Sequence, residues 1–165
     1  MALLRIVNAS PLILLGKMNR LDVLAVEGQA VVVSDAVYRE VEARSHPGRL
    51  PGWDPSSLPM RRQADVPVPT EVVRQALDPG ESMVLALALS LRAAGDDVEV
   101  VLDDKRGRRA AQLLGLRLVR TAGLLVIAKA EGRIKDIAPL LDQLERAGMY
   151  LTGTLRQSIL DAAEE

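Results

Sequence analysis

The chain has 165 residues, 48% hydrophobic and 26% charged, with a formal net charge of −1, which excludes disorder, a fibrous repeat and a globally basic nucleic-acid binder. Zero Cys removes disulfides, thiolate nucleophiles and cysteine metal sites, and a single His, His46, removes any site that needs two imidazoles. With no Phe, one Trp (Trp53) and two Tyr (Tyr38, Tyr150), the core is aliphatic and a base-stacking platform of several rings is excluded; hydrolytic chemistry falls to carboxylates and a hard metal ion.

The length suits one domain over 1–165. Leu3 to Val7 reads as a buried strand, and Ser10 followed by Pro11 predicts a helix with Ser10 as N-cap, which leaves Asn8 at the strand's C-terminal end. The apolar run Leu12 to Leu15 is too short to span a bilayer, so a cytoplasmic protein with no membrane partner is expected, in keeping with the lack of Cys. A second helical stretch, Arg20 to Val26, stops at Gly28. The β-branched run Gln29 to Val33 predicts a strand buried on both faces. Ser34 and Asp35 open a helix that carries Glu40, with Ala36, Val37 and Val41 on its apolar stripe.

Residues 46–69 hold six of the nine prolines, which limits regular structure there to a short edge piece near Arg61 to Val66. His46 reads as an exposed loop residue and Trp53 as an anchor of this loop, which is long enough to serve as a lid or partner surface. Thr70 to Leu77 predicts a short helix, Asp78-Pro79-Gly80 a turn, and Glu81 to Ala94 an interior helix that is apolar almost all round. Val98 to Leu102 reads as a strand followed at once by Asp103-Asp104, and Lys105 to Leu114 as a basic helix stopped by Gly115. Leu116 to Val119 completes the strands. Thr121 caps a helix towards Glu131, and two more helices fill Asp136 to Ala147 and Thr152 to Ala163. Strands alternating with helices predict a three-layer α/β/α sandwich around a mainly parallel sheet of about four or five strands, with ligands beyond the strands' carboxyl ends.

Oxygen-bearing side chains fall where that rule puts a site: Asn8 after the first strand, Asp103 and Asp104 after the third, Glu81 at the start of the buried helix and Glu40 on the helix after the second strand. Such a set suits Mg2+ or Mn2+, which take carboxylate and amide oxygens together with waters. Each residue also has a structural explanation. Glu81 complements a helix N-terminus, Asp104 can cap a helix, Ser10 is explained by its own cap, and Glu40 can be one charge on a solvated face. The helix after Asp104 carries Lys105, Arg106, Arg108 and Arg109, with Arg117 and Arg120 just beyond, which puts cations next to the acids, where a phosphate backbone would lie.

The order of VNASPLI, VYREV, GESMVLALAL and VVLDDKRGRRAAQLLGLRLVRTAGLL resembles the PIN domain over nearly the whole chain, more narrowly a prokaryotic PIN-like branch long labelled a domain of unknown function. The resemblance implies a metal-dependent endoribonuclease using Mg2+ or Mn2+, an RNA substrate, a homodimer and, as in the toxin half of toxin–antitoxin pairs, a small antitoxin partner. It places the acids on Glu40, Glu81 and Asp104, with Asp103 beside them, as catalytic and metal-holding residues. Ser10 falls where it can position a water or phosphate. The first acid falls on Asn8, which can ligate through its carbonyl oxygen but brings no charge. That departure keeps open a second reading, a PIN-like fold that has lost catalysis and binds a nucleic acid or a regulatory partner. A phosphoacceptor receiver domain needs an acid pair after the first strand, which Asn8-Ala9 lacks.

Overall fold

A computed structural model describes residues 3–27, 29–44, 56 and 58–165; His46 and Trp53 lie outside the described residues, as does most of the proline-rich stretch up to residue 57. The chain runs β1 (Leu3–Val7), α1 (Ala9–Lys17), a 3-10 helix (Leu21–Leu24), β2 (Val31–Ser34), α2 (Asp35–Arg44), β3 (Met60–Gln63) and α3 (Thr70–Val73). It continues through α4 (Pro79–Ala93), β4 (Asp97–Val101), α5 (Lys105–Leu113), β5 (Arg117–Val119), α6 (Thr121–Ala130), α7 (Ala138–Ala147) and α8 (Gly153–Ala162). Among the described residues five strands form one sheet in the order β3-β2-β1-β4-β5, every neighbouring pair parallel.

Leu4 to Val7, Val31 to Ser34 and Val98 to Val101 are buried without a break. Successive strand side chains point to opposite faces, so an unbroken buried run means that helices cover both faces, as a three-layer α/β/α sandwich requires. The core is aliphatic throughout: Ile6 and Leu12 meet Leu85 and Leu87 of α4 and Leu124 and Leu125 of α6 in one cluster, each side chain contributing about 1.5–3 kcal/mol on burial. Helix α4 lies against β1, β2 and β4 and packs on α2, which carries Glu40 towards its N-terminus.

Several sequence expectations need correcting. Helix α1 begins at Ala9 with Asn8 as its N-cap, so Ser10 lies inside the first turn and caps nothing. The stretch expected to be helical from Arg20 to Val26 is only a single 3-10 turn, after which Val26 bridges Gln29. Asp78-Pro79-Gly80 is the capped first turn of α4, where Asp78 Oδ1 accepts the Glu81 N–H at 2.8 Å and Pro79 occupies a position that needs no N–H. Arg120, not Thr121, is the N-cap of α6. The short edge piece is present as β3, on the outer side of β2.

The middle of the sheet holds an ion pair between register partners: Arg5 on β1 donates through Nε to Glu99 Oε1 on β4 at 2.9 Å, and both residues are buried. Arg5 Nη1 also donates to the Leu24 carbonyl at 3.0 Å, tying the 3-10 helix to the sheet.

Candidate functional site

From β1 the chain moves outward to β2, whereas from β4 it moves outward to β5 on the opposite side, so the loops after β1 and β4 diverge and open a crevice at their carboxyl ends. The cleft there has a volume of about 670 Å³. Its walls carry Asn8, Glu40, Asp78, Glu81, Asp103 and Asp104, together with Ser10 and the cations Arg44, Arg106 and Arg120.

Two glycines allow these oxygens to gather. A Cβ on Gly80 would lie 2.9 Å from Glu40 Oε2 and 3.5 Å from both Asn8 Oδ1 and Asp78 Oδ1, so three oxygens from α1's cap, α2 and α4's cap surround one bare backbone position. A Cβ on Gly107 would lie 3.0 Å from Glu81 Oε1, so the Glu81 carboxylate rests against the first turn of α5 only because that turn has no side chain there. Asp104 caps the same turn, its Oδ1 accepting from the N–H groups of Arg106 at 2.9 Å and Gly107 at 3.3 Å. Asn8 is buried, and its side chain makes no capping bond to α1.

Glu81 is buried, and burial first, then the charges of Asp78 and Asp104, push its carboxyl up to about 7. Among the described residues only Glu40 of this acidic group has a cation at ion-pair distance, Arg44 Nη2 at 3.3 Å one helical turn away. Asp103 is engaged differently. Its Oδ1 accepts the Thr121 N–H at 2.9 Å and its Oδ2 the Thr121 hydroxyl at 2.6 Å, pinning the start of α6 to the end of β4.

The cations of α5 divide into two groups. Arg106 reaches the cleft and is braced by the Ala76 carbonyl at 2.8 Å, and Arg108 Nε donates to the Asp103 carbonyl at 3.2 Å. Lys105 and Arg109 are exposed on the same helix and do not line the cleft. Arg120 does, and burial together with neighbouring Arg108 holds its guanidinium below the ordinary value, with Asp103 opposing.

The donor set is chemically suited to a hard divalent ion, being oxygen throughout and carrying net negative charge. Among the described residues no three Asp or Glu side chains stand together as a ready-made coordination shell, so waters and substrate oxygens would have to complete one. Sequence reasoning missed Asp78, Arg44 and Tyr150 as members of the cleft. For Asp78 a signal was present: Asp, then Pro, then Glu three residues after the Asp is an N-cap pattern as much as a turn pattern.

The family model described as DUF3368: PIN domain matches residues 4–165. No curated protein and no solved structure matches the chain.

Proposed function

The chain belongs to the PIN-domain family, a nuclease-type fold whose members generally use divalent metals, and from that premise we propose that it is a Mg2+- or Mn2+-dependent endoribonuclease acting in the cleft beyond β1 and β4. The observation that carries this reading is Glu81, an acid buried among other acids with no cation at ion-pair distance among the described residues and a carboxyl pushed up to about 7. A fold bears such repulsion where a ligand of opposite charge relieves it.

In this reading Glu40, Glu81 and Asp104 would hold the cation partly through bridging waters, Asn8 would add a neutral oxygen, and Asp103 adds nearby negative charge while fixing α6 through Thr121. A bound divalent ion would neutralise the phosphate and make an attacking water more acidic. Ser10, exposed on the rim, orients a water or a phosphate oxygen. Arg106 and Arg120 meet the RNA backbone inside the cleft, and Lys105, Arg108 and Arg109 extend the cationic face outside it. Water would add to phosphorus as the ester P–O bond breaks, the water losing a proton and the leaving oxygen gaining one, so that one RNA fragment ends in a phosphate and the other in a hydroxyl. A homodimer, a small antitoxin partner and a cytoplasmic setting belong to the same proposal. Among the described residues no helix is long and apolar enough to cross a membrane.

Asn8 supports a second reading, a PIN-like protein that retains the cleft for binding but has lost catalysis. One experiment separates the two: labelled structured and single-stranded RNAs incubated with Mn2+ or Mg2+ and the wild type, Glu81→Gln or Asp104→Asn. Cleavage by the wild type alone supports the enzyme. Equal cleavage by all three means a contaminant and sinks it, whereas cation binding without cleavage favours the second reading.

A further inference from the structure

Tyr150 is 84% exposed, more than any other large hydrophobic side chain among the described residues, and it stands on the wall of the acidic cleft. Its neighbours hold it there. Gly148 turns the chain at φ 122°, a conformation that suits glycine, while its N–H donates to the Glu145 carbonyl and that of Met149 to the Leu144 carbonyl at 3.0 Å. On the other side Leu151 is buried, and the Thr152 hydroxyl caps α8 by accepting the Leu155 N–H at 3.0 Å. Arg156 of α8 clasps Asp142 at 2.7 Å and Glu145 at 2.8 Å on α7, and Lys17 of α1 donates to the Ala147 carbonyl at 3.2 Å. The ring is thus carried on a turn braced by three helices, yet is itself left in water.

We propose that Tyr150 is a stacking post for one unpaired base at the rim of the cleft. The proposal rests on the nuclease reading above. A ring at the rim can take a base while the adjoining phosphates pass inward to Arg106 and Arg120. A base inside a duplex already has both faces covered by its neighbours, so a single phenol ring selects unpaired RNA over paired RNA. Every base has a π-face, so the ring sets strandedness without setting sequence. The scarcity of aromatics excludes a platform of several rings but is compatible with one fixed ring at the cleft.

The test is equilibrium binding, in EDTA so that cleavage plays no part, of a fluorescent single-stranded RNA decamer, the same decamer with one abasic position at each site in turn, and a duplex of equal length. Wild type, Tyr150→Ala and Tyr150→Phe are compared across a salt series. Tyr150→Ala is expected to weaken single-strand binding about 10-fold, to leave duplex binding and the salt slope unchanged, and to bind the decamer and its abasic forms alike. Tyr150→Phe keeps wild-type affinity, and wild type loses affinity at one abasic position. Tyr150→Ala binding the decamer as wild type does would overturn the proposal while leaving metal-dependent cleavage by the wild type standing. A change of oligomeric state in Tyr150→Ala, with RNA binding intact, would assign the ring to a protein interface and overturn it as well. Wild type that binds no RNA in EDTA overturns the stacking post, and wild type that also fails to cleave RNA in Mn2+ or Mg2+ removes the nuclease reading with it.

Discussion

Strands β1 and β4 bury charge in two places. In the middle of the sheet Arg5 faces Glu99 at 2.9 Å, with a backbone carbonyl satisfying more of the guanidinium. Just beyond the C-terminal ends of the same strands, Glu81 sits among Asp78 and Asp104 with no cation at ion-pair distance among the described residues, and its carboxyl is pushed up to about 7. The first arrangement is complete within the chain. The second is completed by no cation among the described residues, and Gly80 and Gly107 stand where a Cβ would press on Glu40 and Glu81. Buried charge that is compensated serves the fold, and buried charge that is not compensated marks the site.

Breaking the compensated pair should have the largest effect. Glu99→Gln strands the Arg5 guanidinium in the core and is expected to cost about 3–5 kcal/mol in denaturant unfolding, whereas replacing both residues with apolar ones of similar volume recovers most of it. Recovery that fails in the double variant would show that the pair does more than neutralise itself.

At the uncompensated site the sign reverses. Because Glu81 binds its proton more tightly folded than unfolded, it costs the metal-free protein nothing below the unfolded value of 4.5; the cost grows as pH rises towards about 7 and is complete above it. Glu81→Gln is therefore expected to stabilise the metal-free protein by about 1–2 kcal/mol at pH 8 and to leave it unchanged at pH 4, read from unfolding curves at the two pH values. A variant destabilised at pH 8 would contradict the repulsion.

Asn8→Asp sharpens the contrast by adding charge where the resemblance to the PIN domain leads one to expect an acid. It is expected to tighten Mn2+ binding by about 10-fold, about 1.4 kcal/mol, and to lower the melting temperature of the metal-free protein. Unchanged metal affinity and cleavage would remove the explanation given for this departure. Gly80→Ala is the mildest change: its methyl presses on the end of the Glu40 side chain and meets Asn8 Oδ1 and Asp78 Oδ1 at ordinary contact distance, so stability should shift by about 0.5 kcal/mol or less while Mn2+ affinity falls, both read by thermal unfolding with and without metal.

Much of the frame was legible in the chain because it is written in local chemistry. The Val run of β2, the Asp104 cap of α5 and the apolar face of α4 each follow from a few adjacent residues. Misreadings arose where two local signals competed. Ser10-Pro11 carries the stronger capping signature, yet β1 ends at Val7 and Asn8 has the extended backbone a cap needs, so the helix starts earlier. Asp78-Pro79-Gly80 satisfies the rules for a turn and for a helix start, and packing of α4 on the sheet decides for the helix. Apart from Asp78, the acids of the cleft are named from the sequence, but Arg44 and Tyr150 could not be placed there. Their membership depends on how α2 and the α7–α8 turn approach β1, which no local pattern encodes.

If the acids of the cleft hold a divalent cation as proposed, they exchange a proton for it. Calorimetric titration of Mn2+ into the protein at pH 7, in two buffers of different ionisation enthalpy, measures binding and proton release together. The expected result is one site that releases about half a proton in the wild type, with release abolished and affinity reduced in Glu81→Gln. No Mn2+ binding, or binding with the same affinity and proton release in both proteins, would contradict it.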